Sequence, residues 1–185
     1  MMTDQEVTQE QYEQLLDDAG YLQDEAEAMK YVIDSIPSTE KTPDGDSIFG
    51  MLRLIDHAQK NYYRPIIEKM FAENRILSLS DYQQPEETFE EVKNDEDKDI
   101  QRVLNKIIKH RAALLNVFNK ISLIDWERGV KDLNGHVISM MTFARQMIRN
   151  ERKILKDIAD LVLIYQQQKE QQREVQSRAK QRNSS

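Results

Sequence analysis

Apolar residues recur at three- and four-residue steps through most of the chain, the period of helices packed on one side. The first stretch predicts a helix from Thr8 to Ile36, with Tyr12, Leu15, Leu16, Ala19, Ala26, Met29 and Ile33 on one face. Thr8 and Gln11 fit a capping box, in which hydroxyl and amide each satisfy an unpaired backbone group. Gly20 weakens the middle by about 1 kcal/mol relative to alanine, and Pro37 ends the helix. Thr42-Pro43-Asp44-Gly45 predicts a turn, and Ser47 a cap for a second helix. That helix carries Ile48, Met51, Leu52, Leu54, Ile55, Ala58, Tyr62, Ile66 and Met70 on its apolar face. Pro65 falls inside this pattern; its missing N–H and its clash with the Asn61 carbonyl predict a kink or a break.

Residues 78–95 are polar and acidic around Pro85 and read as a long crossover loop with room for a short helical turn. Asn94 or Asp95 is the expected cap of a third helix, whose N-terminal dipole is complemented by Asp95, Glu96, Asp97 and Asp99. Its core side runs through Ile100, Val103, Leu104, Ile107, Ile108, Leu114, Leu115, Phe118 and Ile121. Trp126 lies in the connection that follows, and Asn134-Gly135 marks a turn. A fourth helix is expected from Val137 or Ser139, with Met140, Phe143, Ala144, Met147, Ile148, Ile154, Leu155, Ile158, Leu161 and Val162 inward. No alternation of useful length suggests a strand, and from Gln166 onward the apolar period stops. The expected architecture is all-α: a four-helix bundle over residues 1–165, with a long crossover between helices two and three, then a polar, basic helical tail over 166–185.

Composition supports this reading. The chain has 185 residues, 5 Gly and 4 Pro, enough length to bury a core as one domain. There is no Cys, which removes disulfides, thiolate metal sites and Cys nucleophiles. No apolar run reaches the ~18 residues of a membrane span, and the N-terminus lacks the pattern of a signal peptide, so a cytoplasmic location is expected. The net charge is −7, yet residues 1–50 hold 13 acids against Lys30 and Lys41, while the tail holds Lys169, Arg173, Arg178, Lys180 and Arg182. A basic tail is a possible contact for nucleic acid, but the acidic body repels a phosphate backbone.

Two segments resemble the DinB/YfiT family and its DinB-like branch: residues 46–55, Asp46-Ser47-Ile48 through Ile55, and residues 139–158, Ser139-Met140-Met141 through Ile158. The resemblance covers helix order and spacing over roughly residues 8–165. It implies a divalent metal held by three histidines, one from helix two and two from helix four, spaced by four residues so that both imidazoles share a helix face. It also implies metal-assisted thiol transfer, and pairing of bundles as a homodimer. The matching positions here are Leu54, Asn150 and Ile154. Arg149-Asn150-Glu151-Arg152-Lys153-Ile154 thus reads as a His-Glu-x-x-His turn without its histidines. Leu and Ile have no donor atom and Asn only a neutral one, so no metal or other cofactor is expected, and apolar volume should fill the former site.

His57, His110 and His136 share no i, i+4 relation, so edge or surface roles are expected. His57, with Asp56 or with Glu151 across the bundle, is the best residual ligand candidate. Paired acids such as Asp17/Asp18 and Glu86/Glu87 read as solvated faces, and no phosphate loop or nucleophile elbow is present. Tyr62, Tyr63 and Trp126 could line a pocket but read first as packing, and the Met residues read as core fillers rather than copper ligands. The function expected is therefore a non-catalytic binding or assembly module of unidentified ligand. The alternatives are a metal-dependent thiol-transferase-type enzyme with shifted ligands, and a nucleic-acid-associated protein acting through the tail.

Overall fold

The structure, a computed structural model, describes residues 6–92 and 99–182. Helix α1 spans Gln9–Val32 and ends in a 3-10 turn at Ile33–Ser35. The capping box forms: the Gln11 N–H donates to Thr8 Oγ1 at 3.2 Å, and the Thr8 N–H donates to Gln11 Oε1 at 3.1 Å. Helix α2 spans Ile48–Ala58, capped by Ser47 Oγ, which accepts from the Gly50 N–H at 3.0 Å.

The break expected at Pro65 takes a specific form. Gln59–Tyr63 is a π-helical turn, and α3 resumes at Arg64–Ala72 with Pro65 in its first turn. Proline suits the first turn of a helical segment because its fixed φ matches the helix. The wide turn brings the Arg64 N–H to the Gln59 carbonyl. The polar Gln59 and Tyr62 are both buried at this bend.

Helix α4, Pro85–Val92, occupies part of the segment expected to be loop. Its sequence is acidic, and among its described side chains the buried apolar ones are Pro85 and Phe89, so little of a helical stripe is visible. Helix α5 spans Ile100–Phe118 and is capped by Asp99, whose carboxylate accepts from the Gln101 and Arg102 N–H groups. The caps expected from sequence, Asn94 and Asp95, lie outside the described residues.

Helix α6 runs unbroken through Met140–Arg182. The residues just before it are not helical. Leu77–Ser78 (β1), Gly129–Lys131 (β2) and Val137–Ser139 (β3) form a small sheet in the order β1-β2-β3, with β1 parallel to β2 and β3 antiparallel. The expectation of no strands is thereby corrected: strands of two or three residues are too short to show alternation. The β2–β3 turn uses Asn134-Gly135, where Gly135 has φ +83°, a conformation that favours glycine.

Helix α1 packs on α5 and α6, α2 packs on α5, and α4 covers α2. With α2 and α3 counted as one bent helix, this is a four-helix bundle. Trp126 closes one end, fully buried, with its ring edge-on to Phe118 at 5.0 Å and tilted to Tyr12 at 6.2 Å. Arg128 Nη1 donates to the carbonyls of Phe71 at 2.9 Å and Glu73 at 3.1 Å, satisfying the end of α3. Among the described residues no helix is long and apolar enough to cross a membrane.

Candidate functional site

Leu54 on α2 and Asn150 and Ile154 on α6 line one cavity of about 370 Å³, together with Met51, Ile55, Ala58, Tyr63 and Glu151. Asn150 and Ile154 share a face because a four-residue step returns to nearly the same side of a helix. Leu54 and Ile154 are half-buried and Asn150 is exposed. The expectation that aliphatic side chains plug a former site is thus corrected: they form the walls of an open cleft.

Beside the cavity lies a buried polar cluster. Glu151 is 4% exposed, Gln59 1% and Arg111 2%. Gln59 Nε2 donates to Glu151 Oε1, and Arg111 Nη2 pairs with Glu151 Oε2. The π turn at Gln59 delivers the amide, α5 the guanidinium and α6 the carboxylate. Burial pulls the Arg111 pKa down to about 10, which still leaves it a cation at neutral pH. Arg111 Nη1 and Gln59 Oε1 are buried and find no partner among the described residues.

This cluster escaped the sequence reading, although its signal was present. Arg111 interrupts the stripe Leu104, Ile107, Leu114, Phe118 at a core position. Glu151 interrupts Ala144, Met147, Leu155, Ile158, and Gln59 interrupts Ile55, Tyr62, Ile66. One charge on each of two facing stripes, opposite in sign, is the pattern of a buried pair.

The residual ligand candidates do not assemble. His57 turns toward α4, with Nε2 2.7 Å from Thr88 Oγ1. Its Nδ1 accepts from Asn61 Nδ2 at 3.1 Å. The Thr88 hydroxyl has its own acceptor in the Pro85 carbonyl at 3.2 Å, so His57 is a neutral Nε2–H tautomer in this network. Burial first, with Lys60 and Arg53 adding and Asp56 opposing, lowers its pKa below 6.5. Asp56 belongs instead to His110, whose Nε2 lies 2.7 Å from Asp56 Oδ1. His136 is exposed beside Asp132 at 3.6 Å. Glu151 is claimed by Gln59 and Arg111, so neither pairing considered for His57 forms.

Tyr63, one of the aromatic residues that could line a pocket although read first as packing, lines the cavity. Its ring lies edge-on to Tyr62 at 5.1 Å, and burial pushes its phenol pKa up, opposed by its hydrogen bond with Asn150.

The residues present do not fit a three-ligand metal centre. Leu54 and Ile154 have no donor atom, and both Glu151 oxygens already hold a donor, one of them cationic. Among the described residues no group of three or more His, Cys, Asp or Glu could hold an ion.

The chain has the fold of the DinB-like four-helix bundles. It is similar to the solved structure of YfiT from Bacillus subtilis, with a TM-score of 0.69 over 87% of this chain and 91% of that one, at 12% identity. YfiT is described as a probable metal-dependent hydrolase with an unusual four-helix bundle topology. No family model and no curated protein sequence matches the chain.

Proposed function

We propose that this chain is a non-catalytic binding module that takes a small molecule in the cavity between α2 and α6. In this reading Leu54, Asn150 and Ile154 stand where a metal-dependent bundle carries its ligands. The observation that carries it is that these three side chains line one 370 Å³ cavity and offer it carbon and a single amide. A site of this kind binds by contact and shape and gives no water the activation a metal would supply. The hydrolase description belongs to YfiT. A thiol-transferase reading needs ligands that His57, tied to Thr88 and Asn61, does not provide.

The test is saturable binding of a neutral ring compound such as indole, followed by ligand-observed NMR. One molecule per chain should bind, and Ile154→Trp, which fills the cavity, should abolish binding while the fold is retained. Absence of saturable binding, or binding unaffected by Ile154→Trp, would overturn the reading. The pairing implied by the family resemblance is a separate proposal: sedimentation should find a particle of twice 21.8 kDa, and a monomer at tens of micromolar would refute it.

A further inference from the structure

The cavity has two kinds of surface. Its wall is carbon, chiefly Met51, Leu54, Ile55 and Ile154. Its mouth is acidic: Asp44, Asp46 and Glu86 are exposed there, and Lys153 is the one cation among the lining residues. That cation is already engaged, with Nζ 3.3 Å from Asp44 and 3.0 Å from Asp157. Asp46 and Glu86 are left without a basic partner on the cavity lining.

Deeper in, Glu151 also faces the cavity, and each of its oxygens takes one donor. A carboxylate has about four lone-pair sites, so acceptor capacity remains after Gln59 and Arg111 are served. The cavity is therefore rich in carbon and carboxylate acceptors, with the Asn150 amide and the Tyr63 hydroxyl as its neutral polar groups. Carboxylates and phosphates meet repulsion at its mouth; a cation meets attraction. An apolar cavity of about 150 Å³ holds benzene, so 370 Å³ accommodates a ring with a short arm.

We propose that the cavity takes an alkyl- or arylamine in its ammonium form, its hydrocarbon against Leu54 and Ile154 and its charged head toward Asp46 and Glu86. This rests on the binding-module reading and adds the charge of the ligand to it. An ammonium also brings three donors to these carboxylate acceptors. Two solvent-exposed carboxylates near one cation favour it over a neutral isostere by about tenfold at low salt.

Three isosteric probes separate the proposal from the reading beneath it: 3-phenylpropylamine, 3-phenylpropan-1-ol and 3-phenylpropanoate, titrated into the full chain at low and high salt. The amine should bind about tenfold more tightly than the alcohol at low salt, the advantage should shrink at high salt, and the carboxylate should bind weakest. The double variant Asp46→Asn, Glu86→Gln, with its fold checked by circular dichroism, should bring the amine to the level of the alcohol. Equal binding of amine and alcohol, tightest binding of the carboxylate, or an undiminished amine preference in the double variant would overturn the charge assignment and leave the binding module standing. Binding of none of the three by the folded chain would overturn both.

Discussion

Removing the guanidinium of Arg111 strikes the most exposed weakness of the interior. Arg111→Met keeps apolar volume at a position only 2% exposed but leaves the Glu151 carboxylate buried without its cation. Breaking a buried pair from one side costs about 3–5 kcal/mol. At this chain length each kcal/mol lowers the melting temperature by roughly 2–4 °C, so a fall of roughly 6–20 °C is expected. Glu151→Met should cost at least as much, because it strands the Arg111 cation and also the Gln59 amide. An orphaned buried amide adds about 1–3 kcal/mol. In the double variant both charges are gone and only Gln59 lacks its partner. Replacing a whole buried ion pair with carbon is often neutral or stabilising by about 1–4 kcal/mol. The double variant should therefore be more stable than either single one and lie within about 2 kcal/mol of the parent. Urea unfolding of the four proteins gives the coupling directly. Additive losses, with the double variant the least stable of the four, would refute the assignment of a mutually dependent buried pair.

Three further outcomes follow from the same structure. The His57 pKa is lowered in the folded state, so the folded chain resists a proton that the unfolded chain accepts near pH 6.5. Its contribution is full above that pH and is lost as pH falls through the lower folded value. His57→Gln should flatten the drop in urea midpoint between about pH 7.5 and about pH 5, and parallel profiles for variant and parent would count against it. Trp126→Ala should cost about 3–5 kcal/mol. As Trp126 is the only tryptophan and fully buried, the folded parent should emit at short wavelength and shift red on unfolding; an emission already red in the native state would contradict its burial. Deleting residues 169–185 should move stability by less than about 1 kcal/mol, since positions 169–182 are exposed; a loss above about 2 kcal/mol in urea unfolding would mean the tail packs on the bundle.

Local chemistry was the most legible part of the sequence. Thr8 with Gln11, Ser47, and Asn134-Gly135 each act through neighbours within three or four residues, and each does in the structure what its chemistry demands. Pro65 announced a disruption, but its form as a π turn depends on how the Gln59–Tyr63 side chains pack, which no local rule fixes. Helix α4 was hidden because its sequence is acidic and its buried Phe89 packs on His57 and Arg53 of α2 without extending an apolar stripe, and the sheet because its strands are two or three residues long. The positions Leu54, Asn150 and Ile154 were placed together by analogy with a fold, and in the structure they line one cavity. The Gln59–Glu151–Arg111 cluster depends on three helices at once. Reading it required the polar residues inside apolar stripes to be treated as partners rather than as breaks in a pattern.

The central proposal is that the α2–α6 cavity stands where a metal-dependent bundle carries its ion, with Leu54, Asn150 and Ile154 in place of the donors. Bound metal per chain, measured by elemental mass spectrometry on the natural protein and on the variant Leu54→His, Asn150→His, Ile154→His after exposure to zinc or nickel and desalting, tests both halves together. The account predicts no stoichiometric ion on the natural chain and one ion per chain on the triple variant. An ion held one-to-one by the natural chain, or a folded triple variant that holds none, would contradict it.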